Sequence, residues 1–393
     1  MSQNRCGVMG FRAIFIRELR RLACRPIYLF TMIIVPIGCA IFFVSLLDEG
    51  LPTKVPTAVV DHDNSLLSRQ IIRDLGASEL INIDSHLDSY HEALESVRSG
   101  KVFGFFIIPD DFEKDAVAGR SPSISYYCNM AYFIPGTLTF KGFKTIAVST
   151  TGSLARVQLV SAGMNDNATG ALIQPLAVQD HPIGNPWSNY PIYLCNSFAA
   201  GVLALMILLV TAFSICEEIK RATSIEWLAT ARGSMIVALL GKMLPHTVIF
   251  SAVGIFMQSL FYGYNHYPLN GSEWVMALAM VMFVVACQAF ALFVCCLLPN
   301  LRLALSVVSL LGVLSFSITG FSFPLENMYG AVAIFSYIIP VRYYFLIYID
   351  LALNGIALYY SRYYFVALAI FPLVASTMLW RLKKACITPI YVS

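Results

Sequence analysis

Apolar and polar positions divide this chain into a basic opening, one long apolar run, a polar stretch and a dense series of further apolar runs. Residues 27–47 carry no charge and, at about 1.5 Å rise per residue, reach across a hydrocarbon core roughly 30 Å thick. They predict span 1. The run is longer and later than the core of a signal peptide, so it reads as an uncleaved anchor, and Pro36 in its middle predicts a kink. Five more runs predict span 2 at 193–216, span 3 at 235–262, span 4 at 274–298, span 5 at 303–323 and span 6 at 363–382. Residues 329–350 are almost as apolar, but Pro340 and Arg342 interrupt them near the middle. The segment 324–361 is therefore read as two short helices that dip into the outer leaflet or lie on it, shielded by the spans.

The polar stretch 48–190 alternates in the manner of a soluble α/β domain. Residues 55–60, 81–83, 102–108 and 123–127 predict strands. Helices are predicted at 65–75, capped by Asn64 or Ser65, at 89–99, and for a short stretch from Pro109. From 137 to 164 the pattern becomes a long proline-free helix, a candidate stalk. Pro175, Pro182 and Pro186 then mark a loop back to the bilayer, where Trp187, Tyr190 and Tyr193 fit an aromatic belt.

At 58% hydrophobic and 12% charged, with mean hydropathy +0.70, the chain lies outside the soluble range and is a polytopic helical membrane protein. The net charge of +3 conceals an asymmetry. Residues 48–190 hold 16 Asp/Glu against 10 Lys/Arg, a net of −6, which leaves +9 elsewhere. The positive-inside rule then places both termini in the cytoplasm and 48–190 outside, and nothing in the distribution calls for nucleic acid. A seventh span would carry Lys383 and Lys384 outside, against that rule.

No Walker lysine loop, HExxH or GxSxG motif is present. His86 and His91 read as surface histidines, and Asp61, Asp63 and Asn64 lack the glycine and terminal glutamate of a calcium loop, so no metal is expected. Of ten cysteines, only Cys128 and Cys195 fall on the oxidising side, where a disulfide is one option.

Three local patterns carry more. In 11–25, Phe11, Ile14, Phe15, Leu19 and Leu22 recur at helical spacing against Arg12, Arg17, Arg20 and Arg21. This predicts an interfacial helix with its apolar side in acyl chains and its arginines at anionic headgroups. In 217–234, the charges of Glu217, Glu218, Arg221, Glu226 and Arg232 surround Ile219, Ile225, Trp227 and Leu228, the composition of a short amphipathic helix that docks on a partner. Span 5 carries Ser309, Gly312, Ser315 and Gly320, small enough for a dimer or transport seam. The spans hold little charge, and Lys242 and Arg381 lie near inner ends where snorkelling suffices.

These segments resemble the membrane subunits of type 2 ABC exporters, in the bacterial branch with a large extracytoplasmic insertion between the first two spans. Residues 11–25 resemble the family's elbow helix. Glu217 and Glu218, with Lys220 and 223–232, resemble its coupling helix, although Ile225, Glu226 and Trp227 depart from the Gly/Thr pattern of many relatives. Gly320, Phe321, Pro324 and Met328, continued by Pro340, resemble the motif that precedes an outer re-entrant hairpin. The resemblance extends by layout over nearly the whole chain.

It implies a six-span α-helical protein with an inserted α/β domain, acting as a permease homodimer or heterodimer in the lipid of the bacterial cytoplasmic membrane. A separate cytoplasmic ABC ATPase dimer would hold ATP and Mg, leaving this chain without cofactor or catalysis. The cargo would be hydrophobic or amphiphilic. Two other classes remain open: an ion-coupled secondary transporter, for which an intramembrane acid is expected, and a receptor or assembly protein that binds a ligand through its outer domain.

Overall fold

The computed structural model describes residues 2–48, 50, 52–165, 169, 172–173, 184–186, 189–320 and 323–388. They form two compact units, Met1–Asp48 with Pro182–Ser393, and Glu49–His181. In chain order, helix α1 (Ser2–Cys24) precedes span 1 (Pro26–Leu46). Strands β1 (Val55–Asp61), β2 (Ile81–His86), β3 (Gly104–Ile108) and β4 (Ser125–Cys128) then alternate with helices α2 (Leu66–Ala77), α3 (Tyr90–Arg98) and α4 (Phe112–Val117), before the long α5 (Phe133–Ser161). Span 2 (Tyr190–Lys220), the short α6 (Ser224–Thr230), span 3 (Met235–Tyr264), span 4 (Glu273–Leu297) and span 5 (Leu301–Ile318) follow. A bent pair, α7 (Gly330–Ile338) and α8 (Pro340–Leu353), leads to span 6 (Leu358–Thr377) and α9 (Leu379–Ile387). Among the described residues, six helices are thus long and apolar enough to cross a membrane, and the bent pair α7–α8 makes a seventh if it is counted as one broken span. Trp187, Pro175 and Pro182 lie outside the described residues.

Span 1 is not a regular helix. A π-helical turn at Phe30–Ile34 precedes Pro36, whose ring and missing N–H would otherwise break the ladder at Met32. The kink expected at Pro36 is absorbed by this wider turn. Spans 2 and 4 are largely buried, whereas spans 1, 5 and 6 expose most of their surface.

Spans 2 and 5 approach through a reciprocal pair of glycines. A Cβ on Gly201 would stand 2.4 Å from Phe316, and one on Gly312 would stand 2.5 Å from Leu205. Each glycine receives a large side chain of the other helix. Ser315 is buried on the same helix, its hydroxyl donating to the Gly312 carbonyl at 2.6 Å. Gly312 and Ser315 of the expected seam therefore pack inside the subunit, whereas Ser309 is half-buried and the outward face presents Ser306 and Ser317 along with Leu310, Val313 and Leu314.

Just past the end of span 5 and its cap Thr319 comes Gly320, whose φ of +95° is left-handed and whose missing side chain leaves room for the Arg342 guanidinium. Phe321 lies outside the described residues. Pro324 and Met328 flank a short turn at Leu325–Asn327, and Pro340 starts α8 after an 82° bend from α7. Nine residues of α7 cover only about 14 Å, less than half the hydrocarbon core. The α8 arm is held to the spans: Tyr344 stacks on Phe283 at 4.7 Å, Tyr348 donates to the Ile192 carbonyl at 2.5 Å, and Arg342 donates to the Thr319 carbonyl at 3.0 Å. These contacts pair and cover the polar groups of the arm, as irregular backbone inside a bilayer requires.

The second unit is a four-stranded sheet of order β2-β1-β3-β4, parallel except for β4. β1 is buried on both faces, as a central parallel strand should be. Val59, Phe106 and Ile108 face α2, α4 and α5; Ala58, Val60 and Phe105 form a second cluster with Ala93 of α3. Asp61, Asp63 and Asn64 make the expected turn, with Asp61 accepting from the Asp63 and Asn64 amides, and Ser65 caps α2.

Gly201→Leu should lower stability by roughly 1–3 kcal/mol through overpacking against Phe316. Thermal unfolding in detergent measures this, with Gly38→Leu, which meets open space, expected to leave the midpoint unchanged.

Candidate coupling site

Charged residues converge where α1, the end of span 2 and span 3 meet. On α1, Arg17, Arg21 and the following Arg25 are four residues apart and share one side, while Glu18 lies between the apolar anchors Ile14 and Leu22. Span 3 contributes Lys242 and His246, again four apart. Span 2 runs four residues beyond its expected end, which brings Glu217 and Glu218 into the helix.

Glu218 accepts from Lys242 at 2.9 Å, from Arg17 at 2.8 Å and from Arg21 at 2.6 Å, and also from the Thr223 hydroxyl. Glu217 pairs with Arg21, with Arg25 at 2.8 Å and with Arg221 at 2.8 Å. Glu18 accepts from Lys242 at 3.0 Å and pairs with His246 Nε2 at 2.9 Å. A carboxylate only accepts, so Nε2 carries the proton in that bond. Lys242 and Glu218 are each 1% exposed, and Glu18 is 2% exposed. Arg17, Arg25 and Arg221 keep partial contact with solvent, so the excess cations sit at the rim and the dry centre is nearly balanced. Burial pushes the Glu18 carboxyl up, but Lys242, His246 and Arg21 outweigh it and hold it down at about 2.

Two glycines seat α1 against this centre. A Cβ on Gly241 would lie 3.0 Å from Ile14, and one on Gly10 would lie 3.0 Å from the Thr230 carbonyl. The seven residues of α6 are bracketed by left-handed Ala222 and Arg232, at φ +58° and +55°. Ser224 donates to the Cys386 carbonyl of α9 at 2.9 Å, and Trp227 lies buried beneath, its ring 5.4 Å from Lys242 Nζ. Only Ile225, Glu226, Ala229, Thr230 and Arg232 of this segment face outward, besides Lys220, Arg221 and Ala222 at its start.

A family model described as ABC-2 family transporter protein matches residues 26–381. The chain belongs to that family. It is a multi-pass membrane subunit of an ABC transporter, and such subunits work with an ABC ATPase. Curated proteins compared with the chain give no match. The matched region begins at the first residue of span 1, so the arginines of α1 precede it.

Several expectations for this transporter subunit change. Glu217, Glu218 and Trp227 are internal, so they cannot form a docking surface; Arg221, Glu226 and Arg232 do remain exposed. Arg17 and Arg21 are spent on Glu218 and Glu217, and Ile14 and Leu22 pack on protein, while Arg12 and Arg20 are exposed on the other side of α1. One side of the helix is docked on protein, while Ile16 and Leu19 stay exposed. Lys242 does not snorkel, because two carboxylates reach it in place. Glu18, Arg25, Lys242 and His246 were absent from the expected site. Their signal was the four-residue spacing of cations in α1 and a Lys–His pair inside an apolar helix. Cys128 and Cys195 are free thiols.

Lys242→Met should cost about 3–5 kcal/mol because it removes the buried ammonium that Glu18 and Glu218 share, leaving the dry centre with excess negative charge, while Arg232→Met should stay within about 0.5 kcal/mol. Denaturant unfolding in detergent reads both. Glu18 is held below its ordinary pKa, so its contribution is present above pH 4.5 and is lost as pH falls toward about 2. Glu18→Gln should flatten the acid limb of the stability profile in that window.

Proposed function

We propose that this chain is the permease of an ATP-driven exporter, with both termini in the cytoplasm, the lobe Glu49–His181 outside, and the outward face of α6 seated on the ATPase. The observation that carries the reading is the buried ionic junction. It ties α1, the end of span 2, α6 and span 3 into one body, so a push on seven residues moves two spans and the helix leading into the first. The sidedness is supported by charge: Arg12, Arg20, Arg221, Arg232, Arg381, Lys383 and Lys384 all lie on α1, α6, α9 or beside them.

In this reading ATP and Mg are held by the partner subunits, and this chain supplies no hydrolytic residue. Closure of the ATPase dimer presses Ile225 and Glu226. The junction transmits the displacement to spans 2 and 3, and α1 passes it to span 1. Two permeases, identical or related, would meet through their exposed spans. The scarcity of charge on those surfaces favours a hydrophobic or amphiphilic cargo.

Co-expression with candidate ATPases, followed by native mass measurement and ATP hydrolysis, tests the reading. A complex of two permeases and two ATPases is expected. Ile225→Asp combined with Glu226→Arg should abolish ATPase co-purification while stability stays within about 0.5 kcal/mol. Retention of a fully active complex by that double variant would remove α6 as the docking element.

A further inference from the structure

Helix α5 carries an apolar stripe that the lobe does not fully cover. Ile146, Ala147, Leu154 and Ala155 repeat at helical spacing and are half-exposed, continuing the line of Phe143, which packs on the sheet. They form one wall of a cavity of about 420 Å³. Ile71 and Leu75 of α2 and Phe112 of α4 form the opposite wall, and all three belong to the lobe's own core cluster. The cavity is thus an extension of a hydrophobic core that side chains of the described residues leave unfilled.

Thr150 and Thr151 interrupt the α5 wall, the Thr151 hydroxyl being turned back onto the Ala147 carbonyl at 2.8 Å, and the other polar groups lie at the edges. Gln158 donates to the Ala116 carbonyl at 2.5 Å, and Arg120 and Ser121 lie in the segment after α4. Arg120 gives Nε and Nη2 to one oxygen of Asp115, at 2.9 and 2.6 Å. A guanidinium has five N–H donors, so this pair leaves donors for a second anion. The volume falls within the usual range for small-molecule sites. At about 30 Å³ per water-sized group it accommodates roughly a dozen methylenes. Apolar walls left to water forfeit the burial that an apolar chain restores.

We propose that this cavity binds a single-chain amphiphile, its apolar tail of about a dozen carbons lying along α5 and its anionic head at Arg120. The site belongs to the lobe alone and depends neither on the direction of transport nor on ATPase docking.

The test uses the full chain in lipid nanodiscs with dodecanoic acid bearing a diazirine on its tail, photo-crosslinked and mapped by mass spectrometry. Adducts are expected on peptides containing residues 143–158 and 112–124, displaced by unlabelled dodecanoate. Leu154→Trp fills the cavity and should reduce these adducts by about tenfold, whereas Val157→Trp, on the exposed side of α5, should not. Ala155→Phe gives a second block should Leu154→Trp fail to fold. Arg120→Ala should weaken dodecanoate labelling about threefold to tenfold while leaving the uncharged dodecanol analogue unchanged. Adducts confined to the spans, or lobe adducts indifferent to both filling variants, would overturn the site. Equal response of dodecanoate and dodecanol to Arg120→Ala would overturn the assignment of the head.

Discussion

An ammonium in an apolar helix is stable only beside carboxylates, and Lys242 obtains two of them, Glu18 and Glu218. That requirement positions much of this end of the protein. Glu18 reaches Lys242 only if α1 lies against span 3, which Gly241 permits by leaving space for Ile14. Glu218 reaches it only if span 2 stays helical past its apolar run. Once both are placed, Arg17, Arg21 and Arg25 fall opposite the remaining carboxylate oxygens, and Trp227 covers the lysine from the side of α6.

Such a network is a poor source of net stability, since well-packed apolar residues of the same volume often do as well or better. Its worth lies in register. Apolar faces tolerate sliding, but a carboxylate that must meet an ammonium at 3.0 Å does not. A seven-residue helix is too short to persist alone, and α6 is held by tight turns, the Ser224 bond to α9 and the buried Trp227. The small exposed face of α6 is thus mounted on a stiff support.

The fold was largely legible because bilayer and lobe each impose a strong period. Long apolar runs located all six spans, and Pro340 with Arg342 marked the break that separates α7 from α8. In the lobe, alternation and the Asp61–Ser65 turn located β1 and α2 to within a residue or two. Which face of a helix is used was much less legible. Gly312 and Ser315 read as a free seam because small residues signal close packing without naming the partner, and the partner is span 2 of the same chain. Glu217 and Glu218 read as surface charges because acids after a span normally meet water. Their burial depends on arginines some 200 positions away, a pairing that no local pattern encodes.

The same comparison of energies indicates where the subunit can bend in the proposed cycle. Coupling between nucleotide state and transmembrane state is typically worth about 1–3 kcal/mol, less than the roughly 3–5 kcal/mol lost when one partner of a buried ion pair is removed. A cycle driven at that level should move the junction whole and leave its bonds intact. Deformation then falls where the helical ladder is already opened: the π turn at Phe30–Ile34 beside Pro36, and the π turns at Ser259–Tyr264 and Tyr348–Leu353. The first lies one turn beyond the junction in span 1, and the second ends span 3 at the opposite end from Lys242. A stiff body at one end of a span and an opened turn farther along it form a lever, and local geometry sets both parts.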